Sequence, residues 1–221
     1  ETGLFTKALG LQTPWYIEHL EFSKEKKRLD INISYEKGCR FACPVCGDAD
    51  AKPYDSKNKS WRHLDFFQYQ ANLNAKVPRV QCAKGCGTKR IDVPWARPGT
   101  GFTLLFEAML IPLCKEMPIK TVADLIGEQD TRIWRIVHHY VDEAREKLDF
   151  SQVTKVGMDE TASKRGHHYV SIFCDMDEKR IMFATKGKDK SVVAAFKKDF
   201  EQHKGDADKV EQATCDMSPS F

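Results

Sequence analysis

The chain of 221 residues carries a formal net charge of +3, with 41% hydrophobic and 30% charged residues. That balance suits a folded chain and excludes wholly disordered, collagen-like and low-complexity classes. Its most apolar run, residues 101–114, is interrupted by Glu107 and closed by Lys115 and Glu116, short of the ~20 uncharged residues that a membrane span needs.

The length predicts one large or two to three small domains. The chain opens at Glu1 without an initiator Met or a basic-then-apolar leader, which reads as a trimmed or partial cytoplasmic chain. Charge is uneven: residues 1–100 hold 17 Lys/Arg against 11 Asp/Glu, residues 101–150 hold 6 against 9, and residues 151–221 hold 12 of each. The surplus concentrates in residues 52–97, where basic residues interleave with Tyr54, Trp61, Phe66, Phe67, Tyr69 and Trp95. Such a stretch attracts phosphates and releases counterions. Arg62, Lys76, Arg79, Lys89 and Arg90 are its candidate nucleic-acid contacts, and a lysine-rich soluble face over an aromatic core is the alternative.

Residues 1–29 form an N-terminal segment with a weak apolar pattern that ends in a charged run, and residues 29–33 then alternate as a strand does. A β-rich ribbon is predicted over residues 30–92. Cys43 and Cys46, then Cys82 and Cys86, form two tight pairs, each followed by Gly. Two short Cys loops far apart in sequence let four thiolates converge on one Zn²⁺, and Gly relieves crowding where backbone N–H groups turn toward sulfur. Residues 60–82 are aromatic and β-branched, as a long hairpin between the pairs would be. Redox or disulfide chemistry is the competing use of these thiols, and Cys39 or His63 is a possible substitute ligand. Cys114, Cys174 and Cys215 sit in apolar runs and read as small buried residues.

Pro94, Pro98, Gly99 and Gly101 punctuate a linker over residues 93–101, and a helical block follows over residues 102–149. From Ile119 as position one, Ala123 falls at five and Gly127 at nine, with Val122, Ile126, Ile133 and Ile136 at apolar positions. This is a helix-turn-helix pattern: the small residue lets two helices cross closely, and Gly accepts the positive φ of the tight turn. Asp130 is the expected cap of the second helix, with Ile133, Val137, Tyr140, Val141, Ala144 and Leu148 as its core face. Arg132, Arg135 and His139 make an opposite cationic ridge, so Gln129, Thr131, Arg132 and Arg135 are the candidates for DNA base edges or phosphates. His138 and His139 read as surface residues.

Residues 150–221 read as β-β-β-α-β, with strands at 155–160, 167–174 and 180–185, a helix capped by Asp189, and a fourth strand at 210–215 that leads to Asp216. The predicted helix face is Val192, Val193, Phe196 and Phe200. Three antiparallel strands, a crossover helix and a parallel fourth strand make the first half of an RNase H-like α/β domain, which sets Asp159 and Asp216 at neighbouring strand ends. Two such carboxylates can hold Mg²⁺, a hard cation that prefers oxygen ligands; Glu160 points to the other face. The fold class is therefore multidomain α+β: zinc ribbon, helix-turn-helix and a partial RNase H-like domain.

Cys43-Pro-Val-Cys46-Gly, residues 61–65 and 93–97, the helix-turn-helix, residues 157–160 and residues 215–219 together resemble a bacterial insertion-sequence transposase of the branch with an N-terminal zinc ribbon and a DDE catalytic domain. The resemblance implies that Asp159 and Asp216 are the first two acids of a catalytic triad using Mg²⁺ or Mn²⁺, and that Cys43, Cys46, Cys82 and Cys86 bind structural zinc. It further implies that the ribbon and helix-turn-helix recognise the element's terminal repeats in double-stranded DNA, and that the protein works as a homodimer or higher multimer. The family's third acid lies well downstream of its second Asp, whereas five residues follow Asp216 here. The expectation is a polypeptide that binds DNA without by itself cutting or joining it. The alternatives are a zinc-dependent DNA-binding regulator or non-catalytic remnant, and a zinc-ribbon scaffold for RNA or protein.

Overall fold

The structure, a computed structural model, describes residues 2–166 and 168–215. The chain divides into two compact units, Glu1–Val137 and His138–Phe221. Among the described residues no helix is long and apolar enough to cross a membrane.

The first unit begins with helix α1 (Thr2–Ala8) and strands β1 (Trp15–Ser23), β2 (Arg28–Tyr35), β3 (Lys52–Arg62), β4 (Gln70–Cys82) and β5 (Gly87–Arg90). They form one sheet of order β1-β2-β4-β3, with β5 pairing β4. The parallel register Leu29↔Ala71, Ile31↔Leu73, Ile33↔Ala75 puts every apolar residue of β2 on the face that β4 also buries. Asp30, Asn32, Asn72 and Asn74 occupy the other face, as period-two alternation requires. Each fully buried side chain such as Ile31 or Leu73 contributes about 1.5–3 kcal/mol relative to exposure.

Two readings from sequence change here. The N-terminal segment supplies β1, whose Trp15 and Ile17 are core residues. A register shift between Ile17 and His19 breaks the alternation that would have announced the strand. Residues 93–101 are packed rather than free: Trp95 and Ala96 are buried, and the Trp95 ring meets Trp15 edge-on at 4.9 Å and Trp61 at 5.6 Å. The long hairpin between the cysteine pairs is β3–β4, antiparallel from Lys52↔Gln81 to Arg62↔Asn72.

Helix α2 (Leu104–Glu116) is capped by Thr103, whose hydroxyl accepts from the Phe106 N–H. Helix α3 (Ile119–Ile126) ends at Gly127 with φ of +67°, and helix α4 (Asp130–Arg145) follows. Val122, Ala123, Ile133 and Ile136 are buried, as the spacing predicts. Gly127→Ala places a Cβ in the left-handed region, and we expect a loss of about 1 kcal/mol in urea denaturation. Asp130 is the first residue of α4 rather than its cap, since Arg132 and Ile133 donate their N–H groups to the Gln129 carbonyl. Further along, Val141 and Ala144 are exposed despite their apolar period.

The second unit contains β6 (Lys155–Lys164), β7 (His168–Asp175), β8 (Arg180–Lys186), helix α5 (Lys190–Gln202) and β9 (Gln212–Cys215), with sheet order β8-β7-β6-β9. β6–β7 and β7–β8 are antiparallel, and β9 is parallel to β6. This is the β-β-β-α-β order read from sequence. The Asp189 carboxylate caps α5 by accepting from Ser191 N–H at 2.8 Å. Val192, Phe196 and Phe200 pack on Val156 and Phe173, with Phe173 and Phe196 stacked at 4.2 Å. Val193 is instead exposed, because it lies off the stripe that meets the sheet. Arg145 ties the end of α4 into this unit through the Met182 carbonyl at 2.7 Å and Asp199 at 2.6 Å.

Candidate functional site

The Sγ atoms of Cys43, Cys46, Cys82 and Cys86 all lie within 4.8 Å of one another, and Cys46 and Cys82 are 3.5 Å apart. A tetrahedral Zn²⁺ with Zn–S near 2.3 Å places its sulfurs about 3.8 Å apart, so this constellation fits the ion. Two turns deliver the ligands. The Cys43–Cys46 loop is closed by Gly47 N–H donating to the Cys43 carbonyl and Cys43 N–H to the Asp48 carbonyl, and the Cys82↔Gly87 pairing of β4 with β5 closes the other. Backbone N–H groups of Cys46 and Val45 hold the Cys43 thiol down at about 7, while hydrogen bonding with Cys46 and Cys82 pushes Cys86 up to about 12. Four thiolates cannot accumulate so close together unless a cation replaces their protons. All-sulfur ligation suits zinc.

Cys39 and His63 lie outside this cluster. His63 Nδ1 bonds to the Thr103 hydroxyl at 2.8 Å, and burial lowers its pKa to about 4, so the ring is neutral at pH 7. Cys114 and Cys174 are half-buried and Cys215 is exposed; the apolar neighbours that suggested burial do not cover them.

The sequence-predicted contacts on α4 separate into two kinds. Gln129, Thr131 and Arg135 are exposed around its first turns, as are His138 and His139. Arg132 is ion-paired with Glu128, and its guanidinium lies 4.2 Å from the Phe102 ring centroid. In the ribbon, Lys76, Lys89 and Arg90 are exposed, while Arg79 is held bidentately by Asp55. The Arg62 side chain is only 4% exposed. It donates to the carbonyls of His63 and Ala71, pairs with Asp65, and approaches Glu128 at 3.8 Å. Arg62 is therefore built into the core, and Glu128 links it to Arg132.

Sequence reasoning missed a buried polar group. Glu107 has no exposed side-chain surface and accepts from Arg97 Nε at 2.8 Å and the Thr100 hydroxyl at 2.6 Å. Its signal was present, since a lone acid in the most apolar run of a chain requires a cation nearby.

Asp159 is exposed on β6, and its Oδ1 accepts from Glu160 N–H at 2.7 Å. Glu160 is half-buried, on the alternate side of the strand. The parallel ladder between β6 and β9 ends at Met158↔Cys215. Asp216 lies outside the described residues.

Three family models match in the order of these features. The "zinc-finger of transposase IS204/IS1001/IS1096/IS1165" covers residues 40–86, the "Helix-turn-helix domain of transposase family ISL3" covers residues 91–141, and the "Transposase" domain of the same ISL3 family covers residues 156–221. The chain belongs to the ISL3 transposase family. This ISL3-family chain is 28% identical over 200 residues to the transposase for insertion sequence element IS1557 of Mycobacterium tuberculosis, which covers 87% of this chain and 45% of that protein. It is 23% identical over 226 residues to the transposase for insertion sequence element IS1001 of Bordetella parapertussis, covering 97% of this chain and 52% of that protein. The ISL3-family chain thus spans about half the length of the curated relatives it matches. No solved structure matches it significantly.

Proposed function

We propose that this chain forms the DNA-binding half and the first acidic half-site of a transposase that recognises the terminal repeats of an insertion sequence and cuts and joins DNA. The observation that carries the reading is the succession of a four-thiol cluster, a helix-turn-helix and an RNase H-like β-β-β-α-β sheet, each matched by a model from one transposase family. Structural zinc holds the ribbon. The exposed start of α4, with Gln129, Thr131 and Arg135, faces base edges or phosphates in the major groove. Lys76, Lys89 and Arg90 neutralise flanking phosphates, whereas Arg62 and Arg132 position the turn that presents the helix.

Asp159 and Asp216 are the paired carboxylates of the chemical step. Met158 and Cys215 are ladder partners, and each acid is the next residue along its chain. A divalent ion, Mg²⁺ or Mn²⁺, would supply activation of the attacking oxygen and stabilisation of the leaving one. The working form is a homodimer or higher multimer bridging two element ends.

Asp159→Asn in the full-length transposase tests this. Loss of one ligand carboxylate should lower excision by about a thousandfold, equivalent to roughly 4 kcal/mol, while leaving terminal-repeat binding unchanged in a gel-shift titration. Excision at the wild-type rate would remove Asp159 from the catalytic pair, whereas a full-length wild-type protein that binds the repeats but excises nothing would move the function to a zinc-dependent DNA-binding regulator.

A further inference from the structure

In the first unit, the chain between β3 and β4 reverses in a tight turn. Phe66 N–H donates to the Tyr69 carbonyl at 2.9 Å and Tyr69 N–H returns the bond at 3.0 Å, leaving Phe67 and Gln68 as the two central residues. Phe67 has a φ of +55°, in the left-handed region. Hairpin turns give such positions to Gly, Asn or Asp, and a bulky side chain there is an outlier. Phe67 is also 82% exposed, so burial does not offset the strain. A residue that neither the backbone nor the core requires points to a use outside the fold.

The β1–β2 turn flanks this tip. Gln70 N–H donates to the Lys27 carbonyl at 2.9 Å, and the Phe22 ring meets Tyr69 at 4.5 Å, so residues 24–27 lie beside the start of β4. Lys24, Lys26 and Lys27 are exposed there, against one acid, Glu25. We propose that Phe67 is a wedge that enters a base step of duplex DNA, with Lys24, Lys26 and Lys27 on the neighbouring phosphates. The proposal rests on the DNA-binding reading above and adds to it a base contact outside the helix-turn-helix, made by residues that have no part in that reading.

The occupant follows from the chemistry of the tip. Inserted apolar side chains, phenylalanine among them, unstack a base step and kink the duplex. A two-residue turn that projects one ring is narrow enough to reach the step through a groove. Lysine is depleted from protein–protein interfaces, whereas phosphates attract it and release counterions. Three lysines beside one exposed ring therefore fit a nucleic acid better than an apolar pocket on another protein. The base of the turn is anchored, since Phe66 packs on Phe5 at 5.4 Å and Tyr69 on Phe22. A ring carried on a fixed backbone loses less entropy when it inserts.

The test uses the zinc-loaded 221-residue chain and a duplex bearing the terminal repeat of the parent element, with 2-aminopurine placed at successive positions. We expect wild-type binding to raise the fluorescence several-fold at one step, as unstacking requires. Phe67→Gly should abolish that rise and weaken binding about tenfold. The same variant should keep or raise the urea midpoint, because Gly takes a positive φ without strain. Phe67→Leu, which retains an apolar wedge, should keep most of the rise. Lys24→Gln with Lys26→Gln should lower the slope of log K against log salt by about 0.9 for each phosphate contact removed; an unchanged slope overturns the flanking contacts. A response absent from wild type, or undiminished in Phe67→Gly, overturns the wedge while leaving DNA binding standing. A lower urea midpoint in Phe67→Gly would make the ring a packing residue, and loss of self-association with the response intact would assign the tip to a second copy; either overturns the proposal. A wild-type chain with no affinity for the duplex overturns the underlying reading and the wedge with it.

Discussion

Stripping zinc from the chain should unfold the ribbon, and Cys82→Ser should reproduce the effect without a chelator. Structural zinc binding contributes an apparent ~10–16 kcal/mol at neutral pH in small domains, as large as the whole ~5–15 kcal/mol margin of a typical fold. The reason here is topological. Cys43 and Cys46 precede β3, Cys82 closes β4, and Cys86 precedes β5, so the ion ties both ends of the long hairpin. Without it, the crowded thiols keep their protons, and hydrogen bonding with Cys46 and Cys82 pushes Cys86 up to about 12. Metal analysis should give one zinc per chain in the wild type and less than one in Cys82→Ser, with loss of the cooperative thermal transition of the first unit. Cys39→Ser, outside the cluster, should keep both zinc and transition. Retained cooperative unfolding in zinc-free protein would reduce the cluster to a passive set of thiols.

What the sequence made legible was whatever depends on neighbours along the chain. Paired cysteines, the Ala123 and Gly127 spacing, the Asp189 cap and the alternation of β6 to β8 each state a local physical requirement, and each appears in the structure. What escaped depends on partners distant in sequence. Proline and glycine in residues 93–101 announce turns, yet cannot reveal that Trp95 is inserted between Trp15 and Trp61. The bulge in β1 hid a core strand by shifting its period. A ridge of arginines on α4 looked uniformly available, although Glu128 stands four residues before Arg132 and the pair could be anticipated from helix geometry alone. The apolar positions Val141 and Ala144 continued a periodic pattern that promised burial, and the period cannot say where a covering partner ends. For the acidic site, the strand pairing that leads toward Asp216 was legible from topology, while Asp216 itself lies outside the described residues.

The second large effect concerns the buried ion pair. Arg97→Ala should destabilise the first unit by about 3–5 kcal/mol, the cost of removing one partner from a buried pair. Glu107 has no exposed side-chain surface, and the substitution removes the cation that faces it while leaving the Thr100 hydroxyl. Glu107→Gln keeps a single acceptor oxygen where Arg97 and Thr100 donate to different carboxylate oxygens, so it should lose one of these hydrogen bonds together with the charge pairing. The double substitution Arg97→Met with Glu107→Leu should recover most of the loss, because apolar side chains of similar volume need no desolvated charge. Urea denaturation followed by tryptophan fluorescence reads all four proteins, since Trp95 lies two residues before Arg97 and is itself buried. A coupling energy near zero in the cycle of wild type, Arg97→Met, Glu107→Leu and their double substitution would show that Arg97 and Glu107 contribute independently. The segment before α2 would then be held by Trp95 and Phe102 packing and by the backbone bonds of Gly101 with Arg62 and of Leu104 with Trp95. A large coupling instead makes the pair the lock that keeps residues 97–101 in place against α2, because a buried carboxylate that loses its cation must otherwise be desolvated unpaired.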